Sequence, residues 1–151
     1  MIRIADTILV ATDFSRAADL GLDAAAILAR QNDAELVLVH VHVPEAGEEL
    51  EDDPSTLLLY PGPAIREELH AQLKEIADTK LAGLKTKIGL MASRDPAEGI
   101  CHYAKHVDAD LVVLSTHGRS GAARLLIGSV AEAVVRHAPC PVLTLRSKAK
   151  D

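Results

Sequence analysis

A chain of 151 residues is the size of one ordinary domain, long enough to bury about two-thirds of its unfolded surface without metals or disulfides. It is 48% hydrophobic but only 2% aromatic, which assigns the core to Ala, Val, Leu and Ile as in helix-covered parallel sheets, and its net charge of -6 argues against nucleic acid as a partner. No apolar run approaches the roughly 20 residues of a membrane helix and the start MIRIADTILVATDFS lacks signal-peptide order, so a soluble, cytoplasmic protein without membrane contact is expected.

Short β-rich runs alternate with helical patterns, the signature of βαβ units and a parallel sheet. The first strand is expected at Thr7–Thr12 and the first helix at about Arg16 to Asn32. There Ala17, Leu20, Ala24, Ile27 and Leu28 recur at helical spacing, and Asp13 or Ser15 is available as a cap. A second strand follows at Glu35–Val41. From Val43 to Pro63 the pattern lapses into an acidic run, a short apolar clump and Pro-Gly-Pro. This segment reads as a loop, long for a compact domain and therefore either mobile or a lid, its acidic residues Glu48 to Asp53 being a solvated stretch.

The second helix, about Ala64 to Leu84, carries Ile65, Leu69, Leu73, Ile76 and Leu84 on one stripe with charges elsewhere. After a third strand at Thr86–Ala92, the third helix opens with Asp95 as N-cap, Pro96 at the first helical position and Glu98 placed to complete a capping box. The fourth strand is expected at Asp110–Thr116. The fourth helix then opens with Ser129 and Glu132 in the same arrangement, and a fifth strand lies at Pro141–Arg146 before a solvated RSKAKD tail. No repeat or boundary divides the chain, so residues 1–151 form one domain.

Cys101 and Cys140 are far apart and lack a CxxC pattern, so both read as small apolar residues rather than as metal ligands or a disulfide. His102 and His106 share a helix face, but no surrounding motif supports a metal.

Five parallel strands joined by right-handed crossovers, with helices on both faces, require one reversal of winding. In the simplest order, 3-2-1-4-5, that reversal opens a crevice between the carboxyl ends of strands 1 and 4. The residues brought there are Ala11, Thr12 and Asp13 on one side and the stretch STHGRSGAARLLIGS, Ser115 to Ser129, on the other. Glycines permit close backbone approach, and a helix beginning at Ser129 supplies unpaired amides and partial positive charge, which suits phosphate. Arg119 and Arg124 add charge, while Asp13 suits a ribose hydroxyl or a base amino group. The stretch is neither GxxxxGK[ST] nor the GxGxxG dinucleotide fingerprint. His40 and His42 alternate onto one face at a strand end and border this crevice or the adjoining loop.

The segments ILVATDFS, LVHV, DPAEGI and DLVVLSTHGRSGAARLLIGSVAEAVVRHAPCPVLTLR resemble the universal stress protein family across nearly the whole chain except the 43–63 loop. In its ATP-binding branch the motif is Gly, two residues, Gly, nine residues, then Gly followed by Ser or Thr. Gly118, Gly128 and Ser129 match its second half. Ser115 stands where the first glycine belongs, with a side chain expected either to narrow the approach or to donate a hydrogen bond; Arg94 replaces another frequent glycine.

Position by position, the resemblance implies that Ala11, Thr12 and Asp13 border the nucleoside and that the Val41 backbone meets the adenine edge, with Leu114 near the base. Gly118, Gly128, Ser129 and Val130 would hold the phosphates, and Ser115, Thr116, His117 and Arg119 would line the approach. It further implies ATP, AMP or another adenine nucleotide with Mg²⁺, and a homodimer paired through the edge strand Pro141–Arg146. The expected role is a nucleotide-dependent stress or signalling switch with an unidentified protein partner and at most slow hydrolysis. Two alternatives stand beside it: a weak ATPase or transferase using His117, Arg119 and Arg124, and a nucleotide-free interaction module, for which Ser115 is the encouragement.

Overall fold

The computed structural model describes residues 4–116 and 128–146. Its frame is a five-stranded, all-parallel sheet of β1 (Thr7–Ala11), β2 (Glu35–His42), β5 (Thr86–Ala92), β6 (Leu111–Ser115) and β7 (Val142–Leu145). Their order across the sheet is β5-β2-β1-β6-β7, the order expected from the alternation of strands and helices. β1 is central because both its faces are apolar: Ile8, Leu9 and Val10 are fully buried. At its start, the Asp110 carboxylate accepts from the Asp6 and Thr7 amides at 2.9 Å each and so fixes β6 against it.

Helices α1 (Asp19–Asn32) and α2 (Pro63–Thr79) cover one face; α3 (Pro96–His106) and α4 (Ser129–His137) cover the other. The alternation of β2 divides the core accordingly, with Leu36 and Leu38 facing α1 and α2 and Val39 and Val41 facing α3 and α4. Cys101 and Cys140 are half-buried against the second of these cores, and burial raises the pKa of both thiols.

Local signals settle differently from expectation in several places. Residues Arg16–Ala18 form a 3-10 turn capped by the Ser15 hydroxyl, and the α-helix proper begins at Asp19. Asp95 does cap α3, accepting from the Ala97 and Glu98 amides, but its own amide donates to the Ser93 hydroxyl, which takes the place assigned to Glu98. At α4 the N-cap is Gly128, making Ser129 the first helical residue, and Glu132 pairs with Arg136 at 3.1 Å instead of closing a capping box.

The 43–63 segment is a correction. It is not a featureless loop: β3 (Leu50–Asp53) and β4 (Leu58–Pro61) form an antiparallel hairpin, with Leu58 and Pro61 buried and β4 lying near edge strand β5. Arg66 of α2 bonds to Glu51 of the hairpin at 2.8 Å and stacks over Tyr60. Among the described residues no helix is long and apolar enough to cross a membrane.

Candidate functional site

β1 ends in a turn held by its own side chains. The Thr12 hydroxyl accepts from the Phe14 amide at 3.0 Å, the Asp13 carboxylate from the Ser15 amide at 2.9 Å, and the Ser15 hydroxyl from the Ala18 amide at 3.3 Å. His40 closes the turn from β2, since its Nδ1 donates to the Thr12 carbonyl at 2.8 Å, a bond that fixes its tautomer. Together these bonds hold Phe14 at φ 65°, a left-handed backbone uncommon for an aromatic residue, with its ring 4.4 Å from the His40 ring.

β6 ends beside this turn. Ser115 does not offer its hydroxyl to the crevice: its Oγ accepts from the Gly21 amide, one of the unpaired donors in the first turn of α1, at 3.0 Å. A Cβ at residue 21 would lie 3.2 Å from that oxygen and from the Ser115 nitrogen, so the serine is accommodated by a glycine opposite it. Thr116, next along, is only 5% exposed, and its hydroxyl has no hydrogen-bond partner among the described residues.

The chain returns at Gly128, whose amide donates to the Thr116 carbonyl at 2.8 Å. A Cβ at Gly128 would collide with that carbonyl oxygen, so no other residue fits this approach. From Gly128, α4 begins without a side-chain cap, leaving the amides of Ser129, Val130 and Ala131 unmatched within the helix. Buried orphan hydroxyl and uncapped helix end thus meet at one place.

These elements enclose a cavity of about 620 Å³ across the carboxyl ends of β1, β2 and β6, within the usual range for small-molecule sites. Ala11, Thr12, Asp13 and Val41 wall one side, and Leu114, Ser115, Thr116, Gly128, Ser129 and Val130 the other. All ten were expected there from the sequence. The remaining expected positions, His117, Gly118 and Arg119, lie outside the described residues, as does Arg124. His40 and His42 line the cavity, as the strand alternation suggested.

Other wall residues had no local signal. Pro96 and Ile100 of α3 and Ala131 of α4 enter because both helices start at the sheet's carboxyl edge, which helical registry on the strand order could have revealed. Phe14 and Ala18 come from the β1–α1 turn, and Leu69 and Gln72 from α2 across the sheet. At that end His42 Nε2 bonds to both Glu48 carboxylate oxygens, at 2.8 and 3.0 Å, with Glu48 also accepting from the Glu45 amide at 3.1 Å. Burial pushes the Glu48 pKa up, but the Glu45 amide, the His42 hydrogen bond and the His42 charge outweigh it and hold the carboxyl below its ordinary value. No cluster of three or more potential metal ligands is present among the described residues.

Comparison with known proteins bears on this geometry. The sequence profile of the universal stress protein family matches residues 5–146. A putative universal stress protein of Staphylococcus epidermidis is 35% identical over 144 residues, covering 93% of this chain and 84% of its own. Among solved structures, the universal stress protein UspA from Lactobacillus plantarum superposes with a TM-score of 0.63 at 29% identity, over 97% of this chain and 100% of that one. The universal stress protein from Archaeoglobus fulgidus in complex with dAMP superposes with a TM-score of 0.62 at 26% identity, over 93% of this chain and 98% of its own.

Proposed function

The chain belongs to the universal stress protein family, and from that premise we propose that it binds an adenine nucleotide, with ATP as the leading ligand, across the carboxyl ends of β1 and β6 and acts as a nucleotide-dependent switch. One observation carries the reading. Thr116, whose buried hydroxyl has no hydrogen-bond partner among the described residues, lines the same cavity as the start of α4, whose first-turn amides have no side-chain cap and suit an anionic oxygen. The dAMP complex of the Archaeoglobus fulgidus relative supports an adenine nucleotide as the guest.

In this reading Gly128, Ser129 and Val130 hold phosphate oxygens, Leu114 packs near the base and the Val41 backbone meets its edge. Asp13, whose carboxylate accepts from the Ser15 amide, borders the sugar. Gly118 and Arg119 would contribute from outside the described residues. Mg²⁺ would be carried chiefly by the phosphates and water, since Asp13 is the one described carboxylate lining the cavity. At most slow turnover belongs to this reading, with His40 oriented by the Thr12 carbonyl and His42 by Glu48. The protein pairs with a second copy through the open edge of β7.

The test is a calorimetric titration with ATP, ADP and AMP, with and without Mg²⁺, alongside the unfolding midpoint at each concentration. Binding with a midpoint that climbs with ligand is expected. Absence of heat and of any midpoint shift at millimolar nucleotide would remove the reading.

A further inference from the structure

The parallel sheet has two edges, and β5 forms the one opposite β7. At the two ends of β5 the Lys85 carbonyl accepts from the Leu36 amide and the Ser93 amide donates to the His42 carbonyl. By alternation the odd-numbered residues between them direct their main-chain groups to β2, and Ile88 and Leu90 turn theirs outward. The hairpin lies alongside this edge without completing it: among the described residues β4 pairs with β3 alone and β5 with β2 alone. Leu90 is only 7% exposed, so ladder groups withdrawn from open solvent have no strand to meet them.

Between the hairpin and this edge lies a groove of about 490 Å³, lined by Ile88 and Leu90 and sharing no residue with the cavity at the carboxyl ends of β1 and β6. Tyr103 reaches it from the α3 face of the sheet. It can do so because residue 89 is glycine; a Cβ there would lie 2.6 Å from the phenol ring. The rim is acidic. Glu51 is paired with Arg66 at 2.8 Å, but Asp52 has no hydrogen bond or ion pair among the described residues. Asp53 accepts from the Ser55 hydroxyl at 2.7 Å and the Ser55 amide at 3.0 Å, bonds that hold its carboxyl below its ordinary pKa. Among the described residues no Lys or Arg besides Arg66 lines the groove, so two carboxylates are left without a cation.

We propose that this edge docks an extended basic peptide segment, which adds a strand to β5 and sets Lys or Arg side chains against Asp52 and Asp53. Outward ladder groups call for donors and acceptors alternating at strand spacing, which a peptide main chain carries. The carboxylates select the charge of the guest. Successive guest side chains fall on opposite faces of the sheet, one toward the acidic rim and the next toward Tyr103, so the fitting pattern is basic and apolar in turn. No ladder bond to β5 has to break for the hairpin to move outward and admit the strand.

Fluorescence anisotropy of labelled hexapeptides on the full chain tests the site, comparing alternating Lys-Val with alternating Glu-Val and with Lys-Val peptides N-methylated at every valine or at every lysine. The lysine peptide is expected to bind at least about tenfold more tightly than the glutamate peptide, and at least one N-methylated version should lose binding. Hydrogen exchange at the Ile88 and Leu90 amides should slow about tenfold when the lysine peptide is bound. Asp52→Lys, at an exposed position without a partner, should bring the ratio of the lysine and glutamate affinities to about one. No binding of the lysine peptide at millimolar concentration overturns the site, as does equal binding of both charges or a ratio unchanged in Asp52→Lys. Undiminished binding of both N-methylated peptides, or protection at Val142 and Thr144 in place of Ile88 and Leu90, overturns it equally.

Discussion

Thr116 carries the most informative side chain in the molecule, because a buried hydroxyl without a partner destabilises a fold by about 1–3 kcal/mol. Thr116→Val keeps the shape and removes the orphan oxygen, so the unliganded protein should be unchanged or up to about 1 kcal/mol more stable while nucleotide affinity falls about tenfold. Chemical denaturation and calorimetry on the same preparation read the two opposite signs; parallel losses would indicate a purely structural threonine. Ala11, Thr12, Asp13 and Ser115 were legible because they sit at strand ends, where topology fixes location, whereas His117, Gly118 and Arg119 lie outside the described residues. The partner of the Ser115 hydroxyl was not legible, since Gly21 lies 94 positions away in the sequence and no local pattern links them. Phe14 escaped for a related reason: nothing about an aromatic residue announces a positive φ, which here follows from bonds made by Thr12, Ser15 and His40.

At the scale of elements, the parallel strands and their helices are strongly periodic and were read close to their observed ends. The hairpin was not, because β3 is Leu-Glu-Asp-Asp, largely exposed and composed of residues depleted in strands, so pairing with β4 rather than propensity makes it. α2 was read too long because Leu81 and Leu84 continue its apolar stripe into the core after the helix has ended at Thr79; the chain turns there with Leu81 donating to the Ile76 carbonyl. The segment from His42 to the hairpin yields a pH prediction. Glu48 has a folded pKa below its ordinary 4.5, so its clamp on His42 stabilises the protein above that value and is lost as pH falls through the folded one. Unfolding midpoints taken from about pH 6 down to about pH 3 should therefore fall more steeply for wild type than for Glu48→Gln, and identical slopes would contradict the clamp.

For the whole molecule, sheet order followed from alternating strands and helices with right-handed crossovers, which leave few ways to cover both faces. What lies beyond β7 follows from its backbone. Pro141 and Leu145 turn their carbonyls to β6, so by alternation Val142 and Thr144 present their amides and carbonyls outward, beside Leu143 at 37% exposure. Thr144→Pro removes one outward donor and leaves the β6 ladder intact, and is expected to convert a dimer to a folded monomer in light scattering after size exclusion. A wild-type monomer, or a proline variant that stays dimeric, would refute pairing through this edge. Finally, the bond between the Gly128 amide and the Thr116 carbonyl means that the sheet and α4 deliver the two ends of residues 117–127 already side by side. The scaffold is thereby insulated from whatever sequence spans them, and doubling the length of that span would add only about 0.6 kcal/mol of closure entropy. A longer span could therefore be carried between these two ends at little cost to the frame.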